Sequence, residues 1–365
     1  MPRGPRIALV HDYLLVRRGA ERTFGVMAEL WPEAWVFALL YDEAVARSLV
    51  RMRGVHSSYL QGIGARQSRF RYLLPLLPRA AAKLPVGEFD LVLSSSSAFA
   101  HGVRRGSGAL HVCYCHSPFR YAWHERSRAL EEVPIAFRPA LRATLARIRS
   151  WDRAAAQRVD HYIANSHLTR ERIRDYWGRD ATVIHPPVEV ERFAVGQPED
   201  YFLTVSEVVA HKRVDVAIEA ARRAGRRIKV VGTGPALRAL QGKYADSAEF
   251  LGRVSDVELA RLYASASALV VPNVEEFGIA AVEAQAAGRP VLAVNAGGVK
   301  ETVIDGQTGV LVGTSVDSLA EAMAGVDFHA FDAARISRHA RSFSASVFTR
   351  RLKAEVVRLT AAHHA

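Results

Sequence analysis

Short apolar runs alternate with longer amphipathic stretches along most of the 365-residue chain. In the first half, RIALV (6–10), WVFAL (35–39), DLVLS (90–94), LHVCY (110–114), HYIAN (161–165) and ATVIH (181–185) read as buried strands. YFLTVS (201–206), RIKVVG (227–232), AEFLG (248–252), ALVVP (268–272), PVLAV (290–294) and GVLVG (309–313) repeat the rhythm in the second. A strand covered on both faces must be apolar throughout, and the amphipathic stretches between runs suit helices that cross from one parallel strand to the next. The pattern predicts an α/β chain of two doubly wound, Rossmann-like domains, residues 1–187 and 188–342. A last helix, 343–365, is expected to pack back on the first domain. Pro186 and Pro187 stop a helix and stiffen the passage between the domains. Residues 59–84 interrupt the rhythm with leucines, aromatics and arginines together. They read as a packed helix pair, or as a lipid-touching element with Arg66, Arg69, Arg71 and Arg79 on its polar side.

In open α/β sheets ligands gather at the carboxyl ends of the strands. The loop after ALVVP leads into VPNVEEFGIAAVEAQAAG, with Glu275 and Glu283 eight positions apart. A helix beginning near Phe277, Gly278 and Ile279 leaves Glu275 in the loop and Glu283 inside the helix, roughly 7 to 8 Å along at about 1.5 Å per residue. That is the length scale of a nucleoside diphosphate. Free amides at 277–279 and the helix dipole can hold phosphate oxygens, and each carboxylate can accept from a pair of hydroxyls. On this reading Glu283 takes the ribose and Glu275 the sugar on the distal phosphate. A single acid there would ordinarily be a helix-start or solvated residue. The small, apolar helix around Glu283 argues otherwise, since a buried carboxylate needs a partner.

Charge and cysteines narrow the picture. The chain carries a net +12, and residues 1–190 hold 28 Lys/Arg against 17 Asp/Glu, which leaves 21 against 20 for the remainder. A basic first half favours an anionic acceptor or a headgroup surface, although arginine-rich composition alone would also give solvated basic faces. No helix-turn-helix, zinc-finger or RNP-like signature converts the charge into base readout, so nucleic acid is not an expected partner. Cys113 and Cys115 alternate to the same face of one strand, where a mutual disulfide would be strained. They and His116 lack a fourth metal ligand nearby. No window reaches the roughly 18 to 20 apolar residues of a membrane span. The expected setting is cytoplasmic, at most with peripheral contact at the inner face of the membrane.

With these residues in view, the segment E-EFGIAAV-E resembles the E-x7-E motif of the retaining glycosyltransferases of family 4, which have the GT-B fold. HDYLLVRRGAER is similar to that family's N-terminal glycine loop, HVCYCHSPFRYAWH to its active-site histidine segment, and IANSHLTRERI to its NS segment. IHPPVEVERF, HKRVDVAIEA and GRPVLAVNAGGVKETVIDGQTGVLV resemble the domain crossing, the lysine loop and the block after the donor helix. The likeness runs along nearly the whole chain, and H-[ST]-P-x-R-Y-A-W points to a bacterial mannosyltransferase-like subgroup.

That resemblance implies two Rossmann-like domains facing across a cleft. It implies transfer of a hexose from a nucleotide sugar, GDP-mannose first, to a cell-envelope glycolipid, saccharide or natural-product hydroxyl. Configuration is retained, and neither an essential metal nor a cofactor is required. His116, Glu275 and Lys212 become the catalytic candidates. Gly19, Lys212, Arg213, Arg253, Glu275, Phe277, Gly278, Ile279 and Glu283 become donor contacts, and Arg120 and Tyr121 acceptor contacts. The chain departs from the family twice, with Glu207 where an arginine is usual and Arg18 where a glycine is usual. Arg213, beside Lys212, is expected to supply the missing charge while Glu207 turns away. The alternative is a nucleotide-sugar-binding protein or an epimerase on the same fold. A dinucleotide oxidoreductase is disfavoured because VVGTGPAL has Leu237 where the third glycine of GxGxxG would stand.

Overall fold

A computed structural model describes residues 5–50, 54–63 and 73–364. The chain divides into two compact units, Met1–His185 with Thr349–Ala365, and Pro186–Phe348.

Unit 1 contains β1 (Ile7–Leu14), β2 (Trp35–Tyr41), β3 (Val55–Ser57), β4 (Leu91–Ser96), β5 (Leu110–Cys115), β6 (His161–Ala164) and β7 (Ala181–Val183). They form one parallel sheet in the order β3-β2-β1-β4-β5-β6-β7. Unit 2 contains β8 (Phe202–Val205), β9 (Ile228–Val231), β10 (Glu249–Gly252), β11 (Ala268–Val271), β12 (Val291–Val294) and β13 (Gly309–Val312). These form a second parallel sheet in the order β10-β9-β8-β11-β12-β13. The architecture is α/β with two doubly wound sheets, and every apolar run singled out above is a strand. The unexpected strand, β3, is the three-residue edge segment Val-His-Ser, paired only with β2. An edge strand need not be buried on both faces, so it carries no apolar run.

The strand order reverses beside β1 and β4 in unit 1, and beside β8 and β11 in unit 2. Loops leaving those strands diverge to opposite faces and open the crevice that such sheets use for ligands. The unit boundary falls at His185/Pro186, two residues before the expected one. Residues 343–348 stay with unit 2, because the Val188 N–H donates to the Phe343 carbonyl at 2.9 Å and Val188 bridges Ser344. The helix Ala345–His364 then runs on into unit 1. There it buries Leu352, Val356 and Leu359, accepts from Thr182 Oγ1 on Glu355 at 2.9 Å, and brings His363 to the Gly108 carbonyl at 3.0 Å.

The described parts of 59–84 are divided: Leu60, Leu77, Ala80 and Ala81 are fully buried in the core, while Tyr59, Ile63, Leu76 and Arg79 are exposed. Arg66, Arg69 and Arg71 lie outside the described residues.

Buried polar pairs run through unit 1. Strand β4 is buried along its length although its last three residues are serines, and each hydroxyl meets a histidine. Ser94 Oγ lies 2.8 Å from His111 Nε2, Ser95 Oγ 2.8 Å from His116 Nε2, and Ser96 Oγ 3.3 Å from His101 Nδ1. An unpaired buried hydroxyl costs about 1 to 3 kcal/mol, so these imidazoles let the central strand end in polar residues. Asp152, also buried, accepts the indole N–H of Trp123 at 2.7 Å and of Trp177 at 2.6 Å, and lies 3.3 Å from His101 Nε2.

Candidate functional site

In unit 2 the loops after β8 and β11 meet at the reversal point. Lys212 lies beyond β8, and its ammonium donates to both carboxylate oxygens of Glu275, beyond β11, at 2.6 and 2.8 Å. Both side chains are about four-fifths buried, at 21% and 19% relative exposure. Asn273 Nδ2 donates to the same Glu275 oxygen at 2.9 Å, so the carboxylate is fixed from two directions.

The helix after the Glu275 loop spans Ile279–Ala286, with Gly278 as N-cap at φ 91° and ψ 60°. That left-handed conformation is open to glycine and strained for residues with a Cβ. It turns the chain from the Glu275 loop into the helix while the Phe277 ring is buried against Phe343 at 5.6 Å between centroids. Phe277 therefore offers the site its backbone, and Ile279 the first helical amide. Gly298 presses on this loop from β12's far end: its N–H donates to the Glu275 carbonyl at 2.7 Å, and a Cβ there would collide with the Glu276 carbonyl and Phe277 Cα. Glu283, the fifth helical residue, lies about 6 Å along the axis from Ile279. It is buried, and its Oε2 accepts the Tyr263 hydroxyl at 2.9 Å. Thus Lys212, Glu275, Phe277, Gly278, Ile279 and Glu283 are brought to one end of the unit 2 sheet.

The remaining donor candidates are more dispersed. Arg213, the sole left-handed non-glycine among the described residues (φ 50°), caps the helix Val214–Arg223. Its Nη1 donates to the Thr314 carbonyl at 3.1 Å, which directs the guanidinium toward the loop after β13. Glu207 is exposed in the loop after β8. Arg253 is exposed immediately after β10.

In unit 1, Gly19 opens the helix Gly19–Leu30 behind Arg18. Gly19 is not among the left-handed glycines of the described residues. Glu21 Oε2 accepts the Arg18 amide at 3.0 Å, and burial raises the Glu21 carboxyl to a pKa of about 7. Asp12, at the end of β1, accepts the amides of Ser97, Ala98, Phe99 and Ala100 at 2.5, 2.9, 2.7 and 2.7 Å. This carboxylate ties β1 to the loop after β4.

His116 follows β5 and is buried, which lowers its pKa to about 3. The ring is neutral at any working pH. His11 Nδ1 sits 3.0 Å from the Ser95 carbonyl, which can only accept. His11 Nδ1 also lies 3.1 Å from Ser95 Oγ; where the hydroxyl accepts there and donates to His116 Nε2, the neutral His116 ring carries its proton on Nδ1. The His116 carbonyl accepts the Thr169 hydroxyl at 3.2 Å, and Ser166 caps the helix His167–Trp177 by accepting the Thr169 amide at 3.1 Å. The NS segment braces the histidine. Arg120 pairs with Glu125 at 3.7 Å, and Tyr121 packs edge-on against Phe119.

Sequence reasoning passed over Asn273, Tyr263, Gly298, Asp12, His11 and Ser95. Asn273 directly follows the β11 exit and Gly298 stands in a Gly-Gly pair, so both carried a local signal. Tyr263 and His11 lie within ordinary-looking helix and strand and carried none. Among the described residues no group of three or more His, Cys, Asp or Glu side chains could hold a metal ion, and no helix is long and apolar enough to cross a membrane. Cys113 and Cys115 are buried free thiols, and burial raises both pKa values.

Comparison with known proteins draws the two units together. Residues 188–326 match the family model described as Glycosyl transferases group 1, and residues 18–192 match that described as Glycosyltransferase Family 4. A D-inositol 3-phosphate glycosyltransferase of Nocardiopsis dassonvillei is 36% identical over 204 residues, 46% of this chain and 47% of the relative. A GDP-mannose-dependent alpha-(1-6)-phosphatidylinositol monomannoside mannosyltransferase of Mycolicibacterium smegmatis is 33% identical over 192 residues, 43% and 50% of the two chains. The chain spans about half the length of the curated relatives it matches. Among solved structures, the Anabaena protein HepE in complex with UDP superposes with a TM-score of 0.72 at 16% identity, covering 96% of this chain and 99% of that one. Sucrose-phosphate synthase from Thermosynechococcus elongatus gives 0.72 at 16% identity, covering 98% and 100%. Both share its fold. With the two family models meeting at the passage between the units, the chain belongs to the family 4 glycosyltransferases and has their GT-B fold.

Proposed function

We propose that the protein is a retaining, metal-independent hexosyltransferase that uses a nucleoside-diphosphate sugar, with GDP-mannose the first donor to test. The observation that carries this reading is the junction of Lys212 and Glu275 beside the Ile279 helix start, with Glu283 buried behind it. A diphosphate seated on the amides of 277–279 would meet the Lys212 ammonium. Glu283 would accept the ribose hydroxyls, and Glu275 the hydroxyls of the sugar. The neutral His116 Nδ1–H would donate to a sugar hydroxyl near the anomeric carbon, with Arg120 and Tyr121 on the acceptor side.

In the reaction the anomeric C–O bond to the diphosphate breaks as the acceptor oxygen attacks from the same face. The acceptor proton passes to the leaving phosphate oxygen. Lys212 and the helix amides stabilise the charge that develops there, as groups aimed at a leaving anion should. No side chain forms a covalent bond, so Glu275 positions the sugar and balances charge. The acceptor is a hydroxyl on a cell-envelope glycolipid, a saccharide or a natural product. The M. smegmatis relative, named for GDP-mannose and a phosphatidylinositol monomannoside, supports the glycolipid option.

Incubation of GDP-mannose or UDP-glucose with a glycolipid or saccharide acceptor, with and without EDTA, tests the reading by NMR of the anomeric proton in the glycoside product. A product of the donor's configuration formed equally with EDTA is expected. An inverted product, epimerised donor, or tight nucleotide-sugar binding with neither hydrolysis nor transfer would refute it.

The Tyr263 hydroxyl holds the carboxylate assigned to the ribose, so Tyr263→Phe should raise the donor KM about 3- to 10-fold, the worth of one hydrogen bond. kcat should change little, and Glu283→Gln should cost more than Tyr263→Phe. Steady-state kinetics over a donor series checks this, and an unaltered KM in both variants would remove Glu283 from the donor site.

A further inference from the structure

A protruding apolar turn lies away from the residues assigned to chemistry. Residues Pro134 to Phe137 are exposed without interruption, and Ile135 and Phe137, on the turn Ile135–Phe137, are 76% and 65% exposed. Pro134 precedes the turn and Pro139 follows it, which restricts the backbone on both sides. Two large apolar side chains held outward by a stiff turn are an unusual thing for a chain to leave in water.

The surroundings are cationic. Residues 120–158 carry nine arginines against four acids, a net +5. The helix Arg138–Ala156 turns Leu145, Ile148 and Ala155 into the core and leaves Arg142, Arg147, Arg149 and Arg153 exposed, the last two with their guanidinium groups 4.3 and 5.5 Å from the centre of the Trp123 ring. Arg126, on the helix before the turn, reaches the Arg142 carbonyl at 3.5 Å, which sets these two arginines close together. Of the acids, Asp152 is buried, Glu132 pairs with Arg128 at 3.3 Å and Glu125 lies 3.7 Å from Arg120; Glu131 is exposed beside the turn. Guanidinium groups match phosphate oxygens, and a juxtaposed apolar wedge and basic surface match a bilayer whose headgroups are anionic.

We propose that the turn Ile135–Phe137 is a membrane-docking wedge that enters the interface of an anionic bilayer while the arginines of the helix Arg138–Ala156 engage its phosphates. The sequence had pointed to residues 59–84 for such contact; there Leu60, Leu77 and Leu84 are buried in the core and Tyr59, Ile63 and Leu76 are exposed, but none reaches the exposure of Ile135 and Phe137. The inference stands apart from the transfer reading, because partition onto lipid requires no donor.

The test is co-sedimentation of the full chain with vesicles of phosphatidylcholine containing 30% phosphatidylglycerol, and with phosphatidylcholine alone. Binding to the anionic vesicles, weakened by salt, is expected. The double variant I135S/F137S should partition at least tenfold more weakly with unchanged thermal unfolding, and R142E/R147E should lose the preference for phosphatidylglycerol. In the separate variant F137W, the emission should shift to the blue on adding anionic vesicles. Wild-type and I135S/F137S binding alike would overturn the wedge, as would no binding to either vesicle. Self-association abolished by I135S/F137S without lipid binding would assign the turn to a protein interface instead.

Discussion

Glu275→Gln is expected to separate donor binding from turnover in opposite directions. In the free protein the Lys212 ammonium is held by both oxygens of Glu275, so an incoming diphosphate must compete for it. An amide at position 275 keeps the shape of the side chain and removes the competing charge. Binding of the bare nucleoside diphosphate should tighten about tenfold, or about 1.4 kcal/mol. That is modest beside the ~4 kcal/mol that two unit charges 4 Å apart exchange near a protein surface. Transfer should nevertheless fall by about 10²- to 10³-fold, because the sugar loses a charged acceptor that fixes it for reaction.

Lys212→Ala should weaken the nucleotide and lower kcat/KM by a comparable 10²- to 10³-fold, and Lys212→Arg should restore part of the binding. Calorimetry with GDP and UDP together with steady-state transfer reads both effects. If Glu275→Gln weakens bare nucleotide as much as Lys212→Ala does, the competition described here is absent. Arg213→Ala discriminates further. With its guanidinium on the Thr314 carbonyl, it should cost less than Lys212→Ala.

The second large effect is on stability below neutral pH. Burial lowers the pKa of His11, His101, His111 and His116 to about 3. For a depressed imidazole, the stabilisation is present above the unfolded value near 6.5 and is lost as pH falls toward the folded value. Glu21 and Asp152 oppose this. Burial raises both to about 7, although two indole N–H groups pull Asp152 the other way. Their stabilisation is present in acid and lost as pH rises through 7.

Unfolding therefore takes up about two imidazole protons at pH 6.5 and about four near pH 5, while it gives back about two carboxyl protons. A net uptake of two protons corresponds to about 2.7 kcal/mol lost per pH unit. Asp12, also raised by burial, reduces that slope. Against the ~5 to 15 kcal/mol of an ordinary domain, acidification from pH 7 to 5 should remove a substantial share of the stability of unit 1 without by itself unfolding it. Urea midpoints at pH 7, 6 and 5 measure the loss. A midpoint that holds constant or rises toward pH 5 would show that these histidines are protonated in the folded protein.

Much of this was legible in the sequence because parallel sheets need apolar runs on both faces, and such runs are visible without knowing their partners. The edge strand β3 escaped for the same reason in reverse. The unit 2 site was legible where chemistry and backbone requirements coincide along a few residues, from Asn273 to Glu283. It was less legible where a distant residue completes it, since nothing about Tyr263 in its own helix announces Glu283 as its partner. The serines of β4 were harder still. A reader of DLVLSSSS sees a strand losing its apolar character, whereas the fold supplies imidazoles from β1, β5 and the loops beyond β4 and β5. Arg213 shows the limit of adjacency, because neighbouring positions in the chain sent Lys212 and Arg213 to different partners.

The split of the helix Ala345–His364 between the units sets an order of assembly. On the ribosome, every strand of unit 2 is translated before residues 349–364 emerge, so unit 1 waits with the surface that Leu352, Val356 and Leu359 cover still bare. A stall or premature stop just after residue 348 would leave a finished second sheet attached to a sticky, incomplete first one, the kind of nascent chain that chaperones must shield.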